Sequence, residues 1–134
     1  MKRRSLLLAL LLAACAQTTA PAPGPATSYL AGTSWLRIDD ENANPHGALL
    51  EFTDDGASGY TGCNRWFASV THNGEALRFG AIGMTRMACP TLMQRDTERN
   101  FLAVLEATRY GHYDQEALVL LDAQQTVIAR FNRN

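Results

Sequence analysis

The sequence predicts a mainly β domain, a small antiparallel, barrel-like meander of about eight strands with one α-helix packed on it. Three observations predict it. From Thr33 onward the apolar residues come in short runs separated by turn residues, the rhythm of strands rather than helices. One stretch, Thr91 to Ala107, breaks that rhythm with helical spacing. And a chain of 134 residues, 46% of them apolar, has enough material for one core and one domain. Eight short antiparallel strands in an open sheet leave two unpaired edges; closure into a barrel removes them, and the helix is available to plug or cover one end.

Taken in order, the first strand is Trp35 to Ile38. Ala48, Leu50 and Phe52 then alternate as one face of a second strand, and Asp54-Asp55-Gly56 turns the chain into a third, Ser58 to Cys63. Trp66 to Val70 and Leu77 to Phe79 flank His72-Asn73-Gly74-Glu75, a hairpin signal because Asn73 and Gly74 both tolerate positive φ. Arg109 to Tyr113, Ala117 to Leu121 and Thr126 to Phe131 complete the eight. In the helix, Met93, Thr97, Phe101, Val104 and Leu105 share one arc, with Arg95, Asp96, Arg99 and Glu106 opposite. Pro90 stops any ladder before it, and Thr91 with Gln94 three residues on forms a capping-box pattern.

Ahead of the domain the composition changes. Lys2-Arg3-Arg4, an apolar run from Leu6 to Ala14, and small residues before Cys15 follow the order of a secretory signal, and the run is too short to span a bilayer. Leu12-Ala13-Ala14-Cys15 resembles a bacterial lipobox, which implies cleavage before Cys15 and acylation of it; Ala16 after it resembles lipoproteins sorted to the outer membrane. The expected organisation is therefore a signal peptide at 1–14, a lipidated Cys15 with a Pro/Ala-rich tether at 15–28, and a folded domain at 29–134. Pro21, Pro23 and Pro25 make the tether extended and well solvated. The chain should be attached to the membrane by lipid, facing the periplasm, as a monomer.

Charge excludes other partners. Three of the 12 basic residues lie in the leader, so the remainder carries 9 Arg against 13 acidic residues, a net charge of -4. A mildly acidic domain without a basic stripe is not built for nucleic acid. The cysteines point to compartment. Lipidation consumes Cys15 and leaves Cys63 and Cys89, an even pair expected to form a disulfide in an oxidising space; the alternative is two buried free thiols.

Gly62-Cys63-Asn64-Arg65 falls between two strands, and Thr85-Arg86-Met87-Ala88-Cys89-Pro90 runs into the helix. With the opening tryptophan strand, the Asn-Gly hairpin and Phe101 and Leu105 in the helix, these residues resemble the META-domain family over roughly Thr33 to Phe131. The resemblance implies a small β-rich, barrel-like domain with one helix and no known enzymatic activity, in proteins associated with heat or envelope stress, antibiotic tolerance, motility or virulence. The residues themselves leave two roles open. Asn64 suits a left-handed turn, and Arg65 or Arg86 could bond exposed carbonyls or a carboxylate such as Glu98, which makes the motif a scaffold. Alternatively Gly62, Asn64, Arg65, Thr85 and Arg86 form a site for a small ligand or an envelope protein.

Catalytic and metal signatures fail on inspection. Gly56-Ala57-Ser58-Gly59-Tyr60 has Tyr60 where a nucleophile elbow needs glycine. His46, His72 and His112 lack metal-ligand spacing. Asp40, Asn42, Asn44 and Glu51 occupy positions 1, 3, 5 and 12 of a calcium loop, but Pro45 replaces the glycine of its sharp turn and the flanks read as strands. No cofactor is expected, and no enzyme; the expected role is envelope integrity or stress tolerance, with a ligand- or protein-binding barrel as the alternative. A barrel filled by Trp35, Phe52, Trp66, Phe79 and Phe101 would favour the scaffold over a ligand within it.

Overall fold

The computed structural model describes residues 29–40 and 47–134. The expected signal segment, Cys15 and the tether lie outside the described residues, as do Asn42, Asn44, Pro45 and His46. Among the described residues there are nine strands and one helix: β1 (Ser34–Arg37), β2 (Leu49–Phe52), β3 (Gly56–Tyr60), β4 (Arg65–Asn73), β5 (Ala76–Phe79), β6 (Gly83–Met84), α1 (Leu92–Ala107), β7 (Tyr110–Tyr113), β8 (Ala117–Leu121) and β9 (Val127–Arg133).

Eight of the strands close a ring. The order β3-β2-β1-β9-β8-β7-β5-β4 is completed by pairing of β3 with β4, and every pairing is antiparallel. The thinnest seam is β5 to β7, which has the register pair Ala76↔Tyr110 and bonds from Leu77 N–H to Arg109 O (3.0 Å) and Gly111 N–H to Glu75 O (2.9 Å). β6 lies in line with β5, along the same edge of β4. The eight-stranded barrel with one helix is therefore the fold the alternation predicts, plus a ninth two-residue strand that it does not.

Alternation sorts the side chains. Along β4, Trp66, Ala68 and Val70 point inward while Arg65, Phe67 and Ser69 face out. The interior is filled: Phe52 stacks near Phe79 (6.2 Å between centroids), Phe79 meets Trp66 edge-on (6.0 Å), Trp66 meets Phe101 (5.5 Å) and Phe101 meets Phe131 (6.4 Å). Trp35, Leu50, Leu77, Leu118 and Leu120 complete a core that excludes solvent. Both indole N–H groups are satisfied, Trp35 by Thr33 Oγ1 (2.7 Å) and Trp66 by the Leu49 carbonyl (3.1 Å), as buried tryptophans require.

The two ends of the barrel differ. The chain enters where β1 and β3 begin and β2 ends, with Leu30 fully buried and Gly32 N–H donating to Phe52 O. At the opposite end, β3 gives way to β4 and α1 packs down through Thr97, Phe101, Val104 and Leu105. Four expectations need correction here. The third strand stops at Tyr60 rather than Cys63, because residues 61–64 form a turn. Met93 is 53% exposed and belongs to the outer side of the helix. In the hairpin Asn73 is the last residue of β4, and the loop is Gly74-Glu75, with the positive φ (60°) at Gly74 alone. Asn64 has no left-handed backbone; that demand falls on Gly62, at φ 102°.

Candidate functional site

The turn that ends β3 is built around one hydroxyl. Thr61 is fully buried, and its Oγ1 accepts from the N–H groups of Cys63 (3.2 Å) and Asn64 (2.8 Å) while its own N–H donates to Asn64 O (2.8 Å). Closing four residues this tightly demands a positive φ at the second position, where only glycine is unstrained, hence Gly62. Thr61 carries no signal of its own in the sequence, and residue reasoning missed it.

Asn64, 3% exposed, is the hub. Its Oδ1 accepts from Met87 N–H (2.6 Å) and Thr85 Oγ1 (3.1 Å), and its Nδ2 donates to Glu98 Oε2 (2.9 Å) and Met87 O (3.3 Å). One side-chain amide thus joins the β3–β4 turn, the segment after β6, and α1. Glu98 answers from the helix: Oε2 also accepts from Thr61 Oγ1 (2.5 Å) and Asn64 N–H (3.2 Å). A disulfide between Cys63 and Cys89, with 5.7 Å between Cα atoms, ties the same two loops covalently. Thr85 adds a further pair of bonds, its N–H to Arg65 O (3.0 Å) and its Oγ1 accepting from Arg65 N–H (3.1 Å).

The structure therefore gathers Gly62, Cys63, Asn64, Thr85 and Cys89 into one clasp, and leaves two motif residues out. Arg65 and Arg86 are exposed, and among the described residues neither guanidinium meets a carboxylate. Glu98, expected as a partner for an arginine, is taken instead by Thr61 and Asn64. The physical reason is alternation: Arg65 opens a strand whose next residue, Trp66, points inward, so its own side chain faces out. Cys63, Cys89 and Glu98 place three ligand-type atoms within 4.8 Å, but the disulfide occupies both sulfurs, and a disulfide is not the thiolate that metals require. Of the remaining candidates, His112 is exposed with Nδ1 3.3 Å from Glu75, and half-buried His72 lies beside Tyr113, both at the other end of the barrel. Asp40 lies near Arg37 (3.7 Å), and the chain on either side of the calcium-like loop is strand, β1 and β2.

A model of the META domain family matches residues 29–134. The chain belongs to the META-domain family. Solved structures share its architecture. A protein from Burkholderia xenovorans, determined by NMR, is 25% identical with a TM-score of 0.65, covering 93% of this chain and 99% of that one. A DUF4847 family protein from Bacteroides vulgatus, in a crystal structure, is 14% identical with a TM-score of 0.59, covering 81% of this chain and 96% of that one. At that identity the second likeness speaks for the fold alone. No curated protein matches the chain. In this META domain the segments around Asn64 and Met87 are two halves of one clasp that fastens the helix to the barrel.

Proposed function

We propose that this META domain is the folded part of a lipid-anchored envelope protein, held on the periplasmic face of the outer membrane, which supports envelope integrity under stress by contact rather than by catalysis. The observation that carries this reading is the pairing of cysteines. Cys63 and Cys89 form the disulfide, so of the three cysteines only Cys15 is left, and it sits where a lipobox needs it. The filled barrel adds support: with Trp35, Phe52, Trp66, Phe79 and Phe101 packed inside, the interior is scaffold rather than ligand chamber, and contacts with other molecules belong to the outer surface.

Metabolic labelling with radioactive palmitate tests the anchor. The wild-type chain should be labelled and recovered in the outer-membrane fraction, and Cys15→Ala should lose both properties. Label retained by Cys15→Ala would reject the anchor. Deletion of the gene should raise sensitivity to heat or to antibiotics, and a chromosomal Cys15→Ala allele should behave like the deletion if position in the envelope is what matters.

A further inference from the structure

The wall beside β4 is continued past β5 by a strand of two residues, β6. β6 pairs with β4 through Trp66↔Met84 and Phe67↔Gly83, in line with β5, and among the described residues no strand pairs with its other side, so the wall keeps a short unpaired edge beside the clasp. The ladder register says which groups face it. Thr85 N–H donates to Arg65 O, which makes 65/85 a hydrogen-bonded pair and the neighbouring 66/84 pair the non-bonded kind. The Met84 N–H and C=O are therefore directed away from β4, toward the open edge.

The face around this edge has a definite chemistry. Phe67 is 64% exposed, and its ring lies across Gly83, where any side chain would collide with it. Met87 is also 64% exposed. A cleft of about 280 Å³ opens there, lined by Tyr60, Cys63, Arg65, Thr85 and Met87. Arg65 and Arg86 are the exposed cations without acidic partners described above. Aromatic, methionine and arginine side chains are those enriched where proteins meet.

Charge and backbone together select the occupant. A second copy paired edge to edge would bring Arg65 and Arg86 against their own counterparts, a repulsive arrangement. A lipid surface has no extended backbone to match Met84. An extended acidic peptide answers each feature: its backbone adds to the β6 edge, its carboxylates meet the two guanidiniums, and an apolar side chain enters the cleft. We propose that the β6 edge and its flanking face dock an extended, acidic segment of a partner protein. This deepens the contact reading above and rests on it. Because β6 lies at the end of the barrel opposite Tyr29, a domain tethered through its N-terminus presents this edge away from the attachment point.

The test uses the purified full chain, kept in detergent micelles whether or not it is acylated, titrated at low salt with a blocked pentapeptide alternating glutamate and valine, and separately with its lysine–valine counterpart. Backbone amide NMR shifts should change at Gly83, Met84 and Thr85, with the glutamate peptide binding at least about tenfold more tightly than the lysine one. Arg65→Glu and Met87→Glu replace exposed side chains, leave the near-ultraviolet circular dichroism intact, and should each weaken the glutamate peptide about tenfold. Equal binding of the two peptides, shifts confined to another face, or no shifts at millimolar glutamate peptide would overturn the proposal. Each of these outcomes is read on protein in solution, so it is independent of the palmitate result, which reports on the anchor alone.

Discussion

At the scale of single residues, the account turns on Asn64. Its amide satisfies polar groups from three elements at once, so its removal leaves several of them buried without partners. Asn64→Ala should destabilise the domain on the order of 3 kcal/mol. Asn64→Asp should be nearly as damaging, because it sets a second carboxylate against Glu98 Oε2 and removes the Nδ2 donor; urea denaturation of both variants checks this. A structural clasp and a ligand-coordinating motif differ here, since only the first predicts a stability loss from Asn64 and none from Arg65→Ala or Arg86→Ala. Gln125 carries the opposite expectation. It holds φ at 60° in the β8–β9 turn, so Gln125→Gly should stabilise by about 0.5–1 kcal/mol. Residue roles were the least legible part of the sequence. Cys63 and Cys89 could be paired by counting, but nothing in the order of residues says that Glu98, two helical turns past the cap, would reach Asn64 rather than an arginine. Nor could Thr61 be picked out among the other threonines, because its role comes from a turn whose closure is tertiary.

At the scale of elements, the sequence was most legible where periodicity was long. The helix was readable from its arc of apolar positions and from its cap, and the structure has that capping box in place: Thr91 Oγ1 accepts from Gln94 N–H (3.1 Å) and the Gln94 side chain reaches back to Thr91 N–H (3.3 Å). Thr91→Ala should lower stability by about 1 kcal/mol. Phe101 joins the helix to Trp66 and Phe131 and is fully buried, so Phe101→Ala should lower it by about 3–5 kcal/mol, enough to loosen the helix from the barrel; thermal melts of the two variants rank the effects. Met93 was misplaced because it sits at the margin of the apolar arc, where tertiary contact decides. β6 was invisible, since two residues, Gly83 and Met84, display no alternation at all. The β7–β8 turn supplies a pH dependence. The N–H groups of Glu116 and Ala117 donate to Asp114 (2.8 Å each) and hold its carboxyl below the ordinary 3.8. A carboxyl whose folded value lies below its unfolded one contributes stability at neutral pH that is lost as pH falls through the folded value. Carbonyl NMR should find Asp114 titrating below 3.8, and Asp114→Asn should remove its share of the acid sensitivity.

At the scale of the whole molecule, hydrophobic alternation and the edge problem together were enough to anticipate a closed barrel, because eight strands with apolar inner faces have few other ways to bury them and leave no edge. What they could not anticipate was a further short strand in line with β5, since β6 is held by β4 and the clasp rather than by its own sequence. The disulfide spans 26 residues and encloses β4, β5 and β6. On the chain-entropy account it stabilises the fold by roughly 3–4 kcal/mol, a large share for a domain of this size. Reduction should therefore lower the melting temperature and free the residue 85–90 segment first, visible as faster amide exchange there than in β8 and β9.

The central claim is that this domain works where disulfides persist, anchored by the one cysteine the fold does not use. Intact mass spectrometry of the native protein, extracted from cell membranes into a thiol-alkylating buffer, tests it most directly. The account predicts a chain beginning at an acylated Cys15 with no alkylated thiol. A chain beginning at Met1 with Cys15, Cys63 and Cys89 all alkylated would contradict it.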